Sequence, residues 1–168
     1  GLTIAHGIET LNGTNTYSGG TMITDGQINI GNADALGLGA LTMAPGTTLG
    51  FAADQLEVSN TIVFSGEGDP TIDTGSYDET LSGVISGAGN LSKSGSGTLV
   101  LTADETYTGG TGITAGTLQL GDGGTAGSVM GDIAIAAAGS LVFDRSDNVT
   151  YAGTLSGSGS IVKKAGNI

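Results

Sequence analysis

The chain has no cysteine, no tryptophan and only 2 prolines in 168 residues. Without cysteine it can build neither a disulfide scaffold nor a thiolate metal site. With so little proline and no Gly-X-Y period, a collagen-like helix is excluded despite the abundant glycine. Cations are scarce: 4 Lys and Arg stand against 16 Asp and Glu, for a formal charge of -12. Such a surface excludes nucleic acid, whose phosphates need clustered cations, and disfavours anionic membrane surfaces. No apolar run approaches the roughly 18 residues of a spanning helix. Aromatics are 4% of the chain, so any core must come from small aliphatic side chains. The opening residues Gly1–Gly7 carry no initiator Met and no signal-peptide pattern. Residues 1–168 therefore read as a single unit taken from something longer.

Glycine is what the chain has in excess, 33 residues against a usual share of about 7%. Between the glycines lie short runs with apolar residues at every second position. Examples are Ile28 and Ile30, Leu41 and Met43, Leu49 and Phe51, Ile62 and Phe64. The pattern continues with Leu99 and Leu101, Leu118 and Leu120, Ile133 and Ile135, Leu141 and Phe143. Period two over four or five residues, bounded by Gly, Asn, Asp or Ser, predicts strands. The expected strands lie at 21–24, 27–30, 40–43, 47–51, 61–64, 80–85, 90–92, 98–101, 111–114, 117–120, 132–136, 140–143, 149–155 and 160–162. Asn32–Gly39 and Ser65–Glu79 break the pattern and read as loops leaving the body, where a binding surface would be sought.

Short strands of this kind suit either antiparallel hairpins or a β-solenoid. Internal repeats favour the second. Asn15–Gly31 and Glu105–Gly121 agree at 9 of 17 positions, with an offset of 90 residues. Gly83–Lys93 aligns with Gly153–Lys163 at an offset of 70. The difference, about 20 residues, is one solenoid coil. A stack can lose a whole coil because each coil meets only its neighbours. The expected fold is thus all-β, a right-handed parallel β-helix of about seven or eight coils.

The stretch Lys93–Gly121, with Gly95, Gly97, "TLVL", "TYTGGT" and "ITAGTLQLG", resembles the passenger-associated transport repeat of bacterial autotransporters. Copies are expected near 12–31, 93–121 and, cut short, 157–168. The resemblance implies a passenger domain that crosses the outer membrane unfolded through a β-barrel translocator of the same polypeptide and folds at the cell surface or is secreted. It implies a structural stalk that aids translocation and supports adhesion, with host-surface ligands or self-association as partners. A polysaccharide-processing β-helix enzyme, or a module that pairs with itself, are the alternatives.

The residues carrying the repeat are Tyr17, Gly19, Gly20, Lys93, Leu99, Leu101, Tyr107, Gly109, Gly110, Ile113, Leu118 and Lys163. Tyr17 and Tyr107 suit rings packed over glycine corners better than sugar-stacking platforms. Lys93 and Lys163 each follow an inward aliphatic by two residues, so strict alternation would bury an ammonium at high cost. The strands are expected to turn at Ser92 and Val162 and release both amines to solvent or a carboxylate. Glu67, Asp69, Asp73 and Asp122 lie in acidic glycine-rich segments but lack EF-hand or nonapeptide spacing, so no metal is assigned. Catalysis has little support. His6 is the one histidine, Gly-x-Ser-x-Gly is absent, and the densest charged group, Asp144, Arg145 and Asp147, suits a polar loop. No cofactor is expected.

Overall fold

Residues 1–164 are described by a computed structural model. Each coil of the chain is too short to bury its own aliphatics, and the solution is to stack. The first coil holds β1 (Leu2–Ile4) and β2 (Ile8–Leu11), and the second β3 (Thr21–Ile23) and β4 (Gln27–Ile30). The third holds β5 (Leu41–Met43), β6 (Thr48–Phe51) and β7 (Glu57–Val58), and the fourth β8 (Ile62–Phe64), β9 (Thr71–Asp73) and β10 (Glu79–Leu81). The fifth holds β11 (Ile85–Gly87), β12 (Leu91–Ser94) and β13 (Thr98–Leu101). The last three carry two strands each: β14 (Thr111–Ile113) with β15 (Gly116–Leu120), β16 (Ile133–Ile135) with β17 (Gly139–Phe143), and β18 (Leu155–Gly157) with β19 (Ser160–Lys163).

Every strand pairs in parallel with its counterpart one coil away, and three sheets form the walls. Face A is β1-β3-β5-β8-β11, face B runs the whole length from β2 to β18, and face C is β7-β10-β13-β15-β17-β19. Face B has 8 strands, one per coil, so the solenoid has eight turns. At the ~4.8 Å spacing of paired strands they make a short rod.

The walls are not uniform. In the first two coils a loop replaces the face C strand, and in the last three a loop replaces the face A strand. All three walls are stranded only in coils three to five.

The interior consists of rows of side chains in register. On face B, Ile28, Leu49, Ile72, Lys93, Ile113 and Ile135 stand one above the other. On face C, Leu99, Leu118 and Leu141 form one row and Val58, Leu81, Leu101 and Leu120 another. On face A, Ile4, Ile23, Met43 and Phe64 do the same. All of these are buried. At about 0.8 kcal/mol per buried CH₂, each added coil stabilises the one below.

The structure differs from the sequence expectation at several places. The loop expected over Ser65–Glu79 contains β9, whose Ile72 is fully buried. One aliphatic between Pro70 and Asp73 shows no alternation of its own; the row above and below it fixes the strand. The strand expected at 80–85 is two strands meeting at a corner, β10 and β11. That expected at 149–155 begins only at Leu155. β1, β2 and β7 were not anticipated. Asn32–Gly39 is a loop, yet Ala35 and Leu36 are fully buried, so it plugs the strandless face C wall instead of leaving the rod.

Candidate functional site

Tyr17 and Tyr107 stand at the corners that close the strandless walls. Tyr107 is fully buried, its ring 5.7 Å from that of Phe64, and its hydroxyl lies 2.5 Å from Thr111 Oγ1. Tyr17, half-buried, repeats the contact with Thr21 Oγ1 at 2.7 Å, and Thr21 donates to the Leu36 carbonyl at 3.0 Å. Burial pushes the Tyr107 phenol well above its ordinary value. Thr21 and Thr111 are themselves buried and were missed by sequence reasoning. The signal was present: Tyr-x-Gly-Gly-Thr in both copies spaces the two hydroxyls four residues apart.

The glycines at these corners let coils touch. Gly20 has φ +74° and Gly109 lies so close to the previous coil that a Cβ would collide with Gly89 O and Asn90 Oδ1. Gly110 N–H donates to Asn90 Oδ1 at 2.6 Å, and Gly19 packs against Gly1. Leu99, Leu101, Ile113 and Leu118 face the core.

Lys93 does not turn outward. It stays within β12, fully buried, between Ile72 and Ile113. Its Nζ donates to Thr74 Oγ1 at 3.0 Å, Ser94 O at 2.8 Å, Gly95 O at 3.0 Å and Ala115 O at 3.2 Å. Those oxygens belong to coils four, five and six, at the corner between faces B and C. Burial brings the amine down to about 8, with Asp73 and Asp78 opposing. The neutral-oxygen cage is what makes burial tolerable without a counter-ion. β19 also runs on through Lys163, without the turn expected at Val162, but there the lysine is exposed, as expected. Lys163 pairs with Phe143, and its Nζ donates to Arg145 O at 2.5 Å, two residues further on, just as Lys93 reaches Thr74 from its partner Ile72.

Arg145 is a clamp. It is 8% exposed and lies where face A has no strand. Its Nε and Nη2 donate to both oxygens of Asp147 at 2.9 Å, its Nη1 to Asp104 at 3.3 Å, and its Nη2 also to Thr125 O. Hydrogen bonding to Asp147 raises the guanidinium further and holds Asp147 below the usual carboxylate range. Asp144 belongs to another group, accepting from Gln119 at 3.2 Å and Lys164 at 3.0 Å.

Two buried acids escaped notice, Glu79 and Glu105. Alternation would have found them: Glu79 is two residues from buried Leu81, Glu105 two from buried Tyr107.

The other candidate residues remain apart. His6 lies 3.0 Å from Asp25, both exposed. Asp69 accepts from Asn90 at 2.6 Å, Asp73 from Gly75 N–H at 2.9 Å and Asp122 from Gly124 N–H at 3.3 Å, each serving local structure. Among the described residues no three His, Cys, Asp or Glu side chains converge on a metal position.

Stacked parallel walls with the same tyrosine corner used twice define a repeat-built β-solenoid. A family model, the passenger-associated transport repeat, matches residues 7–30 and 91–120. The chain is 43% identical over 158 residues to a protein described as "Adhesin BmaC autotransporter" from Brucella suis biovar 1 (strain 1330). The alignment covers 91% of this chain and 4% of that relative, so the chain spans a small part of the relative's length. No solved structure matches the chain. These findings support an autotransporter passenger built on passenger-associated transport repeats, a kind of protein found at the cell surface or secreted from it. The third copy expected near 157–168 reaches beyond the described residues at 165–168.

Proposed function

We propose that residues 1–168 are one non-catalytic length of a longer passenger, a stalk that folds outside the cell and carries adhesive parts away from it. What supports this most is the use made of the polar corner residues. Tyr107, Lys93 and Arg145 are all spent on holding coil to coil: Tyr107 packs its ring on Phe64, Lys93 donates to Ala115 O, and Arg145 holds Asp104. The name of the relative supports an adhesive role. Its translocation partner would be an outer-membrane β-barrel of the same polypeptide.

The physics of the stack suits assisted export. Each coil that emerges can fold on the last, because stability is a sum of neighbour terms. A cysteine-free chain also forms no disulfide loop that could jam a narrow pore. Export is tested by placing polar residues at Leu99, Leu101, Ile113 and Leu118 and counting passenger on the surface of intact cells. Display should fall in step with solenoid stability. A destabilised variant displayed as well as the parent would refute the folding-assisted reading.

A further inference from the structure

Three ionisable side chains are buried on successive coils: Glu79 on the fourth, Lys93 on the fifth and Glu105 on the sixth. The two acids stand at the joints where a wall changes between loop and strand. Face C begins at β7, entered through Gln55, whose φ of 59° makes it the one non-glycine residue in the left-handed region among those described. Gln55 N–H takes the ladder bond to Asp78 O at 3.0 Å. The next N–H, on Leu56, is then left over, and Glu79 Oε2 accepts it at 2.7 Å. Face A ends at β11. There Glu105 Oε2 accepts the Ile85 N–H, standing in for the carbonyl of a strand that the next coil lacks.

In both carboxyls the second oxygen, Oε1, is buried with no hydrogen-bond partner. An ionised carboxylate with a desolvated, uncompensated oxygen is costly, and the neutral acid much less so. The charged and titratable surroundings do not offset this. Glu79 faces Asp54 and Asp78, and Glu105 faces Asp104 and the Tyr107 phenol. Asp104 is itself held by Arg145. Lys93, between them, faces Asp73 and Asp78 and donates to neutral oxygens. Among the described residues neither glutamate has an ion-pair partner.

We propose that Glu79 and Glu105 are proton-operated latches: as neutral acids they close the two joints of the rod, and their ionisation loosens coils three to six while the outer coils stay stacked. Burial pushes Glu79 up to about 7 and Glu105 up to about 8. Because both lie above their unfolded value, the stability they contribute is complete in acid. It is lost as pH rises through those two values. Nearest-neighbour coupling keeps the opening local. The latches would make the rod stiffest in mildly acidic surroundings and give it a yielding middle at alkaline pH, whatever it carries.

Amide hydrogen exchange of the 168-residue chain at about pH 6 and about pH 9, corrected for intrinsic rates, tests this. Protection at Leu56, Ile85 and their coils should fall about tenfold or more with rising pH, and far less in coils one and eight. E79Q and E105Q should flatten the fall. Protection that changes equally in all coils, or Gln variants that keep the parent's full pH response, would overturn it. Should those variants fail to fold, carbon-13 titration of the parent's glutamate carboxyls decides. Two carboxyls titrating above about pH 6 support the latches, and none doing so overturns them.

Discussion

Lys93 lies directly beneath Ile113, a chain ending in an ammonium stacked in register with a plain aliphatic one. The amine is accommodated because its tip reaches a corner where three coils present oxygens to it. K93M keeps most of the volume but leaves Ser94 O, Gly95 O and Ala115 O without their donor. A loss of about 2–4 kcal/mol is expected, read from the urea midpoint at unchanged slope. A variant as stable as the parent would show that the cage contributes nothing.

The same amine gives a pH signature opposite to that of the two acids. Its folded value, about 8, lies below the ordinary 10.5. The cost of burying the charge is therefore complete below about pH 8 and is relieved as pH rises towards the unfolded value. The stability of the parent relative to K93M should grow between those limits in paired urea titrations. A constant difference would place the charge elsewhere.

Y107F removes a buried hydroxyl and strands Thr111 Oγ1, so it should cost about 1–2 kcal/mol. Y17F should cost less, since Tyr17 is half exposed and water can replace its bond. Chemical denaturation of the two variants side by side checks the order, and equal effects would contradict the difference in burial.

R145K cannot reproduce the two-pronged grip on Asp147 while also holding Asp104 and Thr125. Faster amide exchange is expected in 121–132 and 144–154, with face B amides of the same coils little changed. Global destabilisation without that local pattern would count against the clamp.

Much of this fold could be read from the chain. Period-two pairs such as Leu99 and Leu101 located the strands because a residue facing the core must be followed by one facing out. The 90- and 70-residue offsets gave the coil length. What stayed hidden depended on neighbours far away in sequence. Ile72 looks like a lone aliphatic in a loop until Leu49 and Lys93 are stacked on either side of it. Lys93 was judged by the cost of burying an amine, yet alternation was the truer guide, since Ala115 O and Thr74 Oγ1 arrive from other coils. Nor could the offsets say which wall a repeat occupies. Thr21–Ile23 lies on face A and Thr111–Ile113 on face B, four coils and one wall later. Ile85–Gly87 on face A and Leu155–Gly157 on face B are separated by three coils and one wall.

That extra wall has a geometrical outcome for any longer shaft made from such units. Each copy brings its tyrosine corner and unstranded side to a new compass bearing, about a third of a revolution from the last. Three copies would sweep all directions, so the irregular side would wind about the axis like a screw thread, and a neighbour approaching from any quarter would meet it.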